Sequence, residues 1–249
     1  MMPTFRDHFG GAARAYATYR PHYPAALFDW LCSVTAGRER AWDCGTGNGQ
    51  AAVALGSRFA DVIATDPSID QLRNAVGQPS LSYVAMTAEQ AALRPASVDL
   101  ITVAQALHWF DRPQFFGEAD RVLRPGGTLA VWSYGLLTID PSVDRLVGRL
   151  YHDVLGPYWP SERAFVDSGY AGIALPYVEL ARPAIAMEAE WSLAEFGGYL
   201  SSWSAVVRFR AQTGDDPLPT FLREVEGAWG AGARRIRWPL VVRAGRKPM

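Results

Sequence analysis

Apolar residues repeat with helical spacing first at Leu27, Trp30, Leu31 and Val34, which fall at i, i+3, i+4 and i+7 and predict a helix from Pro24 to Val34 that Gly37 could end. The period then shortens. Arg40 to Cys44 reads as a buried strand, Gly45-Thr46-Gly47-Asn48-Gly49 as a turn, and the Ala-rich run from Gln50 to Phe59 as a helix. Asp61 to Thr65 is a second strand, and Ser68 with Gln71 three positions on has the form of a capping box opening the next helix. Further strands are expected at Leu81 to Ala85, Val98 to Ala104 and Thr128 to Trp132, with a helix from Asp111 to Leu123 between the last two. Strand and helix in regular alternation imply a parallel sheet covered on both faces.

After Trp132 the alternation stops. Val143, Leu146, Val147, Leu150, Tyr151, Val154 and Leu155 keep a helical spacing with no strand nearby, a further helix is expected from Leu193 to Val207, and Trp159, Trp191 and Trp203 give the region unusual aromatic weight. Late strands are expected at Ala184 to Trp191 and Ile236 to Ala244. One domain accommodates all of this: a cofactor-binding core over 1–134, a cap with the sixth strand over 135–229, and a closing strand within 230–249.

Composition narrows the function classes. The chain has 249 residues, 49% hydrophobic and 20% charged, which excludes disordered and coiled-coil architectures. Its 24 basic and 25 acidic residues leave a net charge of −1, giving no global field for nucleic acid or an anionic membrane, so neither is expected as a partner. Cys32 and Cys44 are too few for a disulfide framework or a cysteine zinc site, no metal is expected, and the start from Met1 to Asp7 carries no signal-peptide apolar run. A cytoplasmic location is the expectation. Among the basic residues only Lys247 is a lysine, two positions from the end, which leaves little room for Schiff-base chemistry. Arg234 to Lys247 is strongly basic, yet its Arg and apolar positions intermix as on an exposed strand, and it reads as such. Nothing in the sequence specifies an oligomer.

The chemistry concentrates in Asp43-Cys44-Gly45-Thr46-Gly47-Asn48-Gly49, a glycine loop between a strand and a helix. Asp66 ends the next strand 21 residues after Gly45, near the offset of about 20 at which a ribose-binding acid follows such loops. An adenosine-type ligand is therefore expected. A nicotinamide oxidoreductase is the alternative enzyme, but its fingerprint wants glycine where Gln50 stands, and Asp43 would face the pyrophosphate.

Together with Thr87-Ala88-Glu89, Gln105-Ala106-Leu107-His108-Trp109 and Leu123-Arg124-Pro125-Gly126-Gly127, this loop and acid resemble class I S-adenosylmethionine-dependent methyltransferases over roughly residues 5 to 132. Tyr19-Arg20-Pro21-His22-Tyr23-Pro24 and the His-Trp pair are similar to the small-molecule branch that includes trans-aconitate methyltransferase-like proteins. The resemblance implies a Rossmann-like, doubly wound α/β fold: a mostly parallel seven-stranded sheet with an antiparallel C-terminal strand and a helical cap insertion. It implies S-adenosyl-L-methionine as cofactor and a small-molecule methyl acceptor. Cofactor contacts would come from Tyr16, Tyr19 and Arg20, from Asp43, Cys44, Gly45, Thr46 and Gly47, from Asp66, Pro67 and Leu72, from Thr87, Ala88 and Glu89, and from Ala104 and Gln105. In that scheme Gly45 and Gly47 admit the methionine part, Asp43 meets its amino group directly or through water, Asp66 accepts both ribose hydroxyls, and Thr87 stands where many relatives have Asp.

The acceptor would meet His108, Trp109, Tyr134 and Trp203. His108 follows a strand at the edge where open α/β sheets bind ligands, making it the candidate general base, with His22 and Tyr134 behind it and His8 and His152 read as surface residues. Arg208 and Arg210 could clamp an acidic acceptor. A non-catalytic partner subunit with the same fold is the third reading, since methyl transfer from a sulfonium needs no dedicated side chain.

Overall fold

The structure is a computed structural model describing residues 20–249. Its sheet has seven strands in the order β3-β2-β1-β4-β5-β7-β6. Helix α1 (Ala25–Val34) leads into β1 (Arg40–Cys44), α2 (Gln50–Gly56), β2 (Asp61–Thr65), α3 (Ile69–Arg73), β3 (Leu81–Val84), β4 (Val98–Ala104), α4 (Arg112–Val122) and β5 (Leu123–Tyr134). These five strands pair in parallel, and β7 (Arg234–Arg246) runs antiparallel between β5 and β6 (Ala186–Trp191).

The period of two sorts the strands onto two cores. Trp42, Ile101, Val103, Leu129 and Val131 pack on one face, and Ala41, Leu100, Ala130 and Trp132 on the other. Buried residues of α1, Leu27, Phe28 and Leu31, cover the second face, each of the Leu side chains contributing about 1.5–3 kcal/mol by leaving water. Because the strand order reverses between β1 and β4, the carboxyl ends of these strands open a crevice there.

Between β5 and β7 lie α5 (Pro141–Arg149), α6 (Arg163–Asp167), β6, α7 (Leu193–Ser201), α8 (Ser204–Thr213) and α9 (Leu218–Trp229). A third core, including Tyr151, Phe196, Trp203, Phe221 and Trp229, belongs mostly to this region. Two local expectations need correction. The helix expected over Leu193 to Val207 is broken at Ser202 and Trp203, giving α7 and α8. Ser68 and Gln71 form no capping box, because Asp66 Oδ1 takes the Ser68 N–H instead, at 2.9 Å. A complete box does form at Ser192 and Glu195, where the sequence reading did not expect it. The basic stretch of β7 is neutralised across the sheet: Arg237 pairs with Glu188 at 2.5 Å, Arg234 with Asp140, and Arg243 with Glu179.

Candidate active site

Three glycines of the loop adopt left-handed backbone, with φ of +69° at Gly45, +56° at Gly47 and +87° at Gly49. A Cβ on Gly45 would lie 2.6 Å from Ala106 Cβ, and one on Gly49 would lie 2.1 Å from Tyr83 Oη. At Gly47 the nearest atom is Gln71 Oε1 at 3.9 Å. Hence Gly45 meets a packing requirement against the loop after β4, and Gly47 borders open space.

The loop spends most of its N–H groups on the end of β2. Gly45 and Thr46 donate to Thr65 O at 2.8 and 2.9 Å, Gly47 to Asp66 Oδ2 at 2.9 Å, and Gly49 to Thr46 O at 3.0 Å. Asp43 is fully buried beneath it, accepting hydroxyl bonds from Thr102 at 2.6 Å and Thr46 at 2.5 Å. The Ala52 N–H in the first turn of α2 also faces this carboxylate. Burial pushes its pKa up to about 6, and the two hydroxyls and the Ala52 N–H restrain the rise. A dinucleotide pyrophosphate would need the donors that Asp43 and Thr65 occupy, and it would meet a carboxylate at the helix N-terminus. Direct contact between Asp43 and a ligand amine, one of the expected roles, is closed by its complete burial; its carboxylate organises the loop. Cys44 is likewise buried, its thiol pKa raised well above the usual range by desolvation.

Across the loop, half-buried Asp66 binds the N–H groups of Gly47 and Ser68, each at 2.9 Å. Pro67 and Leu72 are half-buried beside it. Gln71, absent from the expected site, is buried with Oε1 unpartnered next to Gly47. No sequence pattern distinguished it from a capping residue. Thr87 is exposed, Ala88 is buried, and Glu89 Oε1 accepts the Asp111 N–H that opens α4, at 3.0 Å.

Ala104 ends β4 half-buried, and Gln105 after it carries φ +54°, a strained value for a residue with a side chain. Its Nε2 donates to Tyr134 O at 3.2 Å, while Oε1 is buried without a partner. Gln105 lines an open-mouthed pocket of about 560 Å³, open solvent included, whose wall also contains His108, Trp109, Tyr134 and Trp203. Arg20, Trp159, Arg163 and Tyr199 add to its polar and aromatic lining, and none of these last three was expected in the site. Arg20, expected beside the cofactor, donates to Tyr134 Oη at 2.7 Å and lies over the Tyr199 ring in the same wall as Gln105. Arg163 donates to Tyr151 Oη at 2.6 Å and to Asp167 at 3.0 Å, and it stacks over Trp159. Arg208 and Arg210 are not in this wall, and Arg210 pairs with Asp216. His22 and His152 are both exposed. Tyr16, Tyr19 and His8 lie outside the described residues.

His108 is 9% exposed on the turn after β4, with Nδ1 3.0 Å from Tyr170 Oη. Burial first, then the charges of Arg163 and Arg112, lower its pKa to about 3. The imidazole is neutral at physiological pH and a weak base, which counts against the general-base role expected of it.

A parallel sheet reversing at β1 and β4, an antiparallel closing strand, an acid-backed glycine loop and a second acid at the end of β2 define a class I S-adenosylmethionine-dependent methyltransferase. Comparison with known proteins agrees. The methyltransferase-domain family model matches residues 42–131. A candidate methyltransferase of Dictyostelium discoideum is 38% identical over 219 residues, covering 86% of this chain and 83% of that one. An uncharacterised methyltransferase of Mycobacterium tuberculosis is 43% identical over 129 residues, 50% of this chain and 51% of that one. The solved structure of a candidate type II methyltransferase from Anaeromyxobacter dehalogenans superposes with a TM-score of 0.87 at 45% identity, covering 93% of this chain and all of that one. The chain belongs to the methyltransferase family.

Proposed function

We propose that this enzyme transfers a methyl group from S-adenosylmethionine to a small-molecule acceptor held in the aromatic pocket, and that the acceptor carries an anionic oxygen. The observation carrying this reading is the position of Gln105. It is strained, has an unpartnered buried oxygen, lines the pocket, and adjoins Ala106, against which Gly45 packs. Glycine loop and pocket therefore meet at the Gln105–Ala106 step.

The chain's residues fit the cofactor. The unpartnered oxygens of Gln71 and Gln105 are acceptors awaiting donors, and Gly47 leaves space for close approach. Asp66 would hold the ribose hydroxyls, Pro67, Leu72 and Ala88 the adenine, and Gln105 the methionine end. Thr87 and Glu89 would border the adenine from outside, Glu89 through the α4 terminus that it caps, and Tyr16 and Tyr19 would cover the site. When bound, S-adenosylmethionine supplies an already activated methyl group on its sulfonium. What the protein adds is position, which contributes about 7–11 kcal/mol in the best-oriented reactions. Trp109, Trp159 and Trp203 would hold a flat apolar body, and Arg20 and Arg163, the latter already paired with Asp167, would attract negative charge. The segment 135–229 would serve as the acceptor lid over the 1–134 core, with the strand in 230–249 closing the sheet. Two free thiols suit a reducing cytoplasm.

Calorimetry with S-adenosylhomocysteine and NADH, followed by methyl-label transfer to paired carboxylic acids and their neutral esters, tests this reading. Binding of the first ligand alone and labelling of the acids alone are expected. Tight NADH binding would overturn the cofactor, labelling of the esters alone would overturn the anionic acceptor, and cofactor binding without turnover of any small molecule would favour a partner subunit.

A further inference from the structure

Tyr170 has no place in the site expected from sequence. It is fully buried, in left-handed backbone at φ +59° after α6, and its carbonyl accepts a bond from Arg243 Nη1, whose guanidinium also pairs with Glu179. The phenol oxygen faces the backbone N–H groups of Leu107 and His108. Both are donors, so neither can take the phenol proton. Among the described residues the one acceptor facing it is His108 Nδ1, at 3.0 Å. A phenol has a single proton to give, and a fully buried one is almost always paired.

The other imidazole nitrogen, Nε2, has no protein partner and is not sealed from solvent, in a residue that lines the acceptor pocket. We infer that Tyr170 is a positioning residue that donates to His108 Nδ1 and thereby holds the imidazole as the neutral Nε2–H tautomer, presenting the acceptor with a hydrogen-bond donor in place of a base. Burial and the flanking guanidiniums of Arg163 and Arg112 act in the same direction by opposing a second proton. With Nδ1 engaged and Nε2 already protonated, the ring has no free lone pair to take a proton from an acceptor. The acceptor must then arrive deprotonated, and Nε2–H can bond one of its oxygens. This consequence rests on the methyltransferase reading of the pocket; the tautomer does not.

Two-bond proton–nitrogen correlation on the full chain labelled with ¹⁵N-histidine reads the tautomer directly, with His108→Gln identifying the signal among those of His8, His22 and His152. At pH 7 the expected result is a pyrrole-type Nε2 and a pyridine-type Nδ1, unchanged at pH 5. A pyrrole-type Nδ1, or an imidazolium at pH 7, would overturn the inference. Tyr170→Phe should shift the Nδ1 resonance and mix the two tautomers; an unchanged spectrum in a folded variant would remove Tyr170 from the role. If that variant does not fold, replacing tyrosine globally with 3-fluorotyrosine keeps the shape and acidifies the phenol. The Nδ1 resonance should then move, and no movement would count equally against it. Because the spectra need neither cofactor nor acceptor, their failure is distinguishable from a failure of S-adenosylhomocysteine to bind.

Discussion

Two buried groups of the site should pull the stability of this protein in opposite directions as the pH falls. His108 has a folded pKa of about 3 against an ordinary 6.5, so between those values the unfolded chain binds a proton that the folded one refuses. Its contribution is present above pH 6.5 and is lost as the pH drops. From pH 7 to pH 5 the loss is about 2 kcal/mol, at 1.36 kcal/mol per unit. Asp43 has a folded pKa of about 6 against 3.8, so the folded state takes up its proton first. Stability from this group is present at low pH and is lost as the pH rises through 6; over the same step downward it gains about 1.3 kcal/mol. The two nearly cancel, and the wild type should change by less than about 1 kcal/mol from this pair. Removing one titration exposes the other. Relative to wild type, His108→Gln should gain about 2 kcal/mol between pH 7 and pH 5, and Asp43→Asn should lose about 1.3 kcal/mol. Urea unfolding at the two pH values, analysed by linear extrapolation, measures both differences, and the titrations common to all three proteins drop out. Parallel behaviour of the two variants would show that these groups are not buried as described.

The glycines separate folding from binding: Gly45→Ala should cost about 2–5 kcal/mol, combining left-handed strain with overpacking against Ala106, whereas Gly47→Ala should cost only the strain of about 1–2 kcal/mol yet sharply weaken S-adenosylhomocysteine binding. Urea denaturation and calorimetry on both variants check this, and equal loss of stability would refute it. Asp66→Ala should weaken cofactor binding at least tenfold, since it removes charge-assisted bonds and also frees the N–H groups of Gly47 and Ser68; unchanged affinity by calorimetry would displace the ribose from this carboxylate. Trp203 is buried against Tyr151, Trp159 and Tyr199, so Trp203→Ala should destabilise by about 3–5 kcal/mol. The half-buried Trp159 is the cleaner probe, and Trp159→Phe should alter acceptor KM with cofactor affinity retained, as steady-state kinetics would show.

Much of the architecture is local, and for that reason it is legible in the sequence. Apolar runs at Arg40 to Cys44, Asp61 to Thr65 and Val98 to Ala104 fall on β1, β2 and β4 because a strand buried on both faces must be apolar at nearly every position. The glycine loop and Asp66 were readable because backbone conformation and strand ends leave residue-type signatures. What the sequence could not reveal is which group spends its hydrogen bonds on which. Asp43 and Cys44 stand in the motif, but only the packed structure buries them, and Gly45 is glycine because of Ala106, sixty-one residues away in the chain. The capping box at Ser68 failed because a carboxylate two residues earlier took the donor first. His108 could be placed at the right edge of the sheet, but its proton is set by Tyr170, which arrives from beyond β5 with no motif of its own. Secondary structure follows from short-range periodicity; protonation, pocket chemistry and the charge that a site tolerates depend on partners distant in sequence, and only the tertiary fold brings those within bonding range.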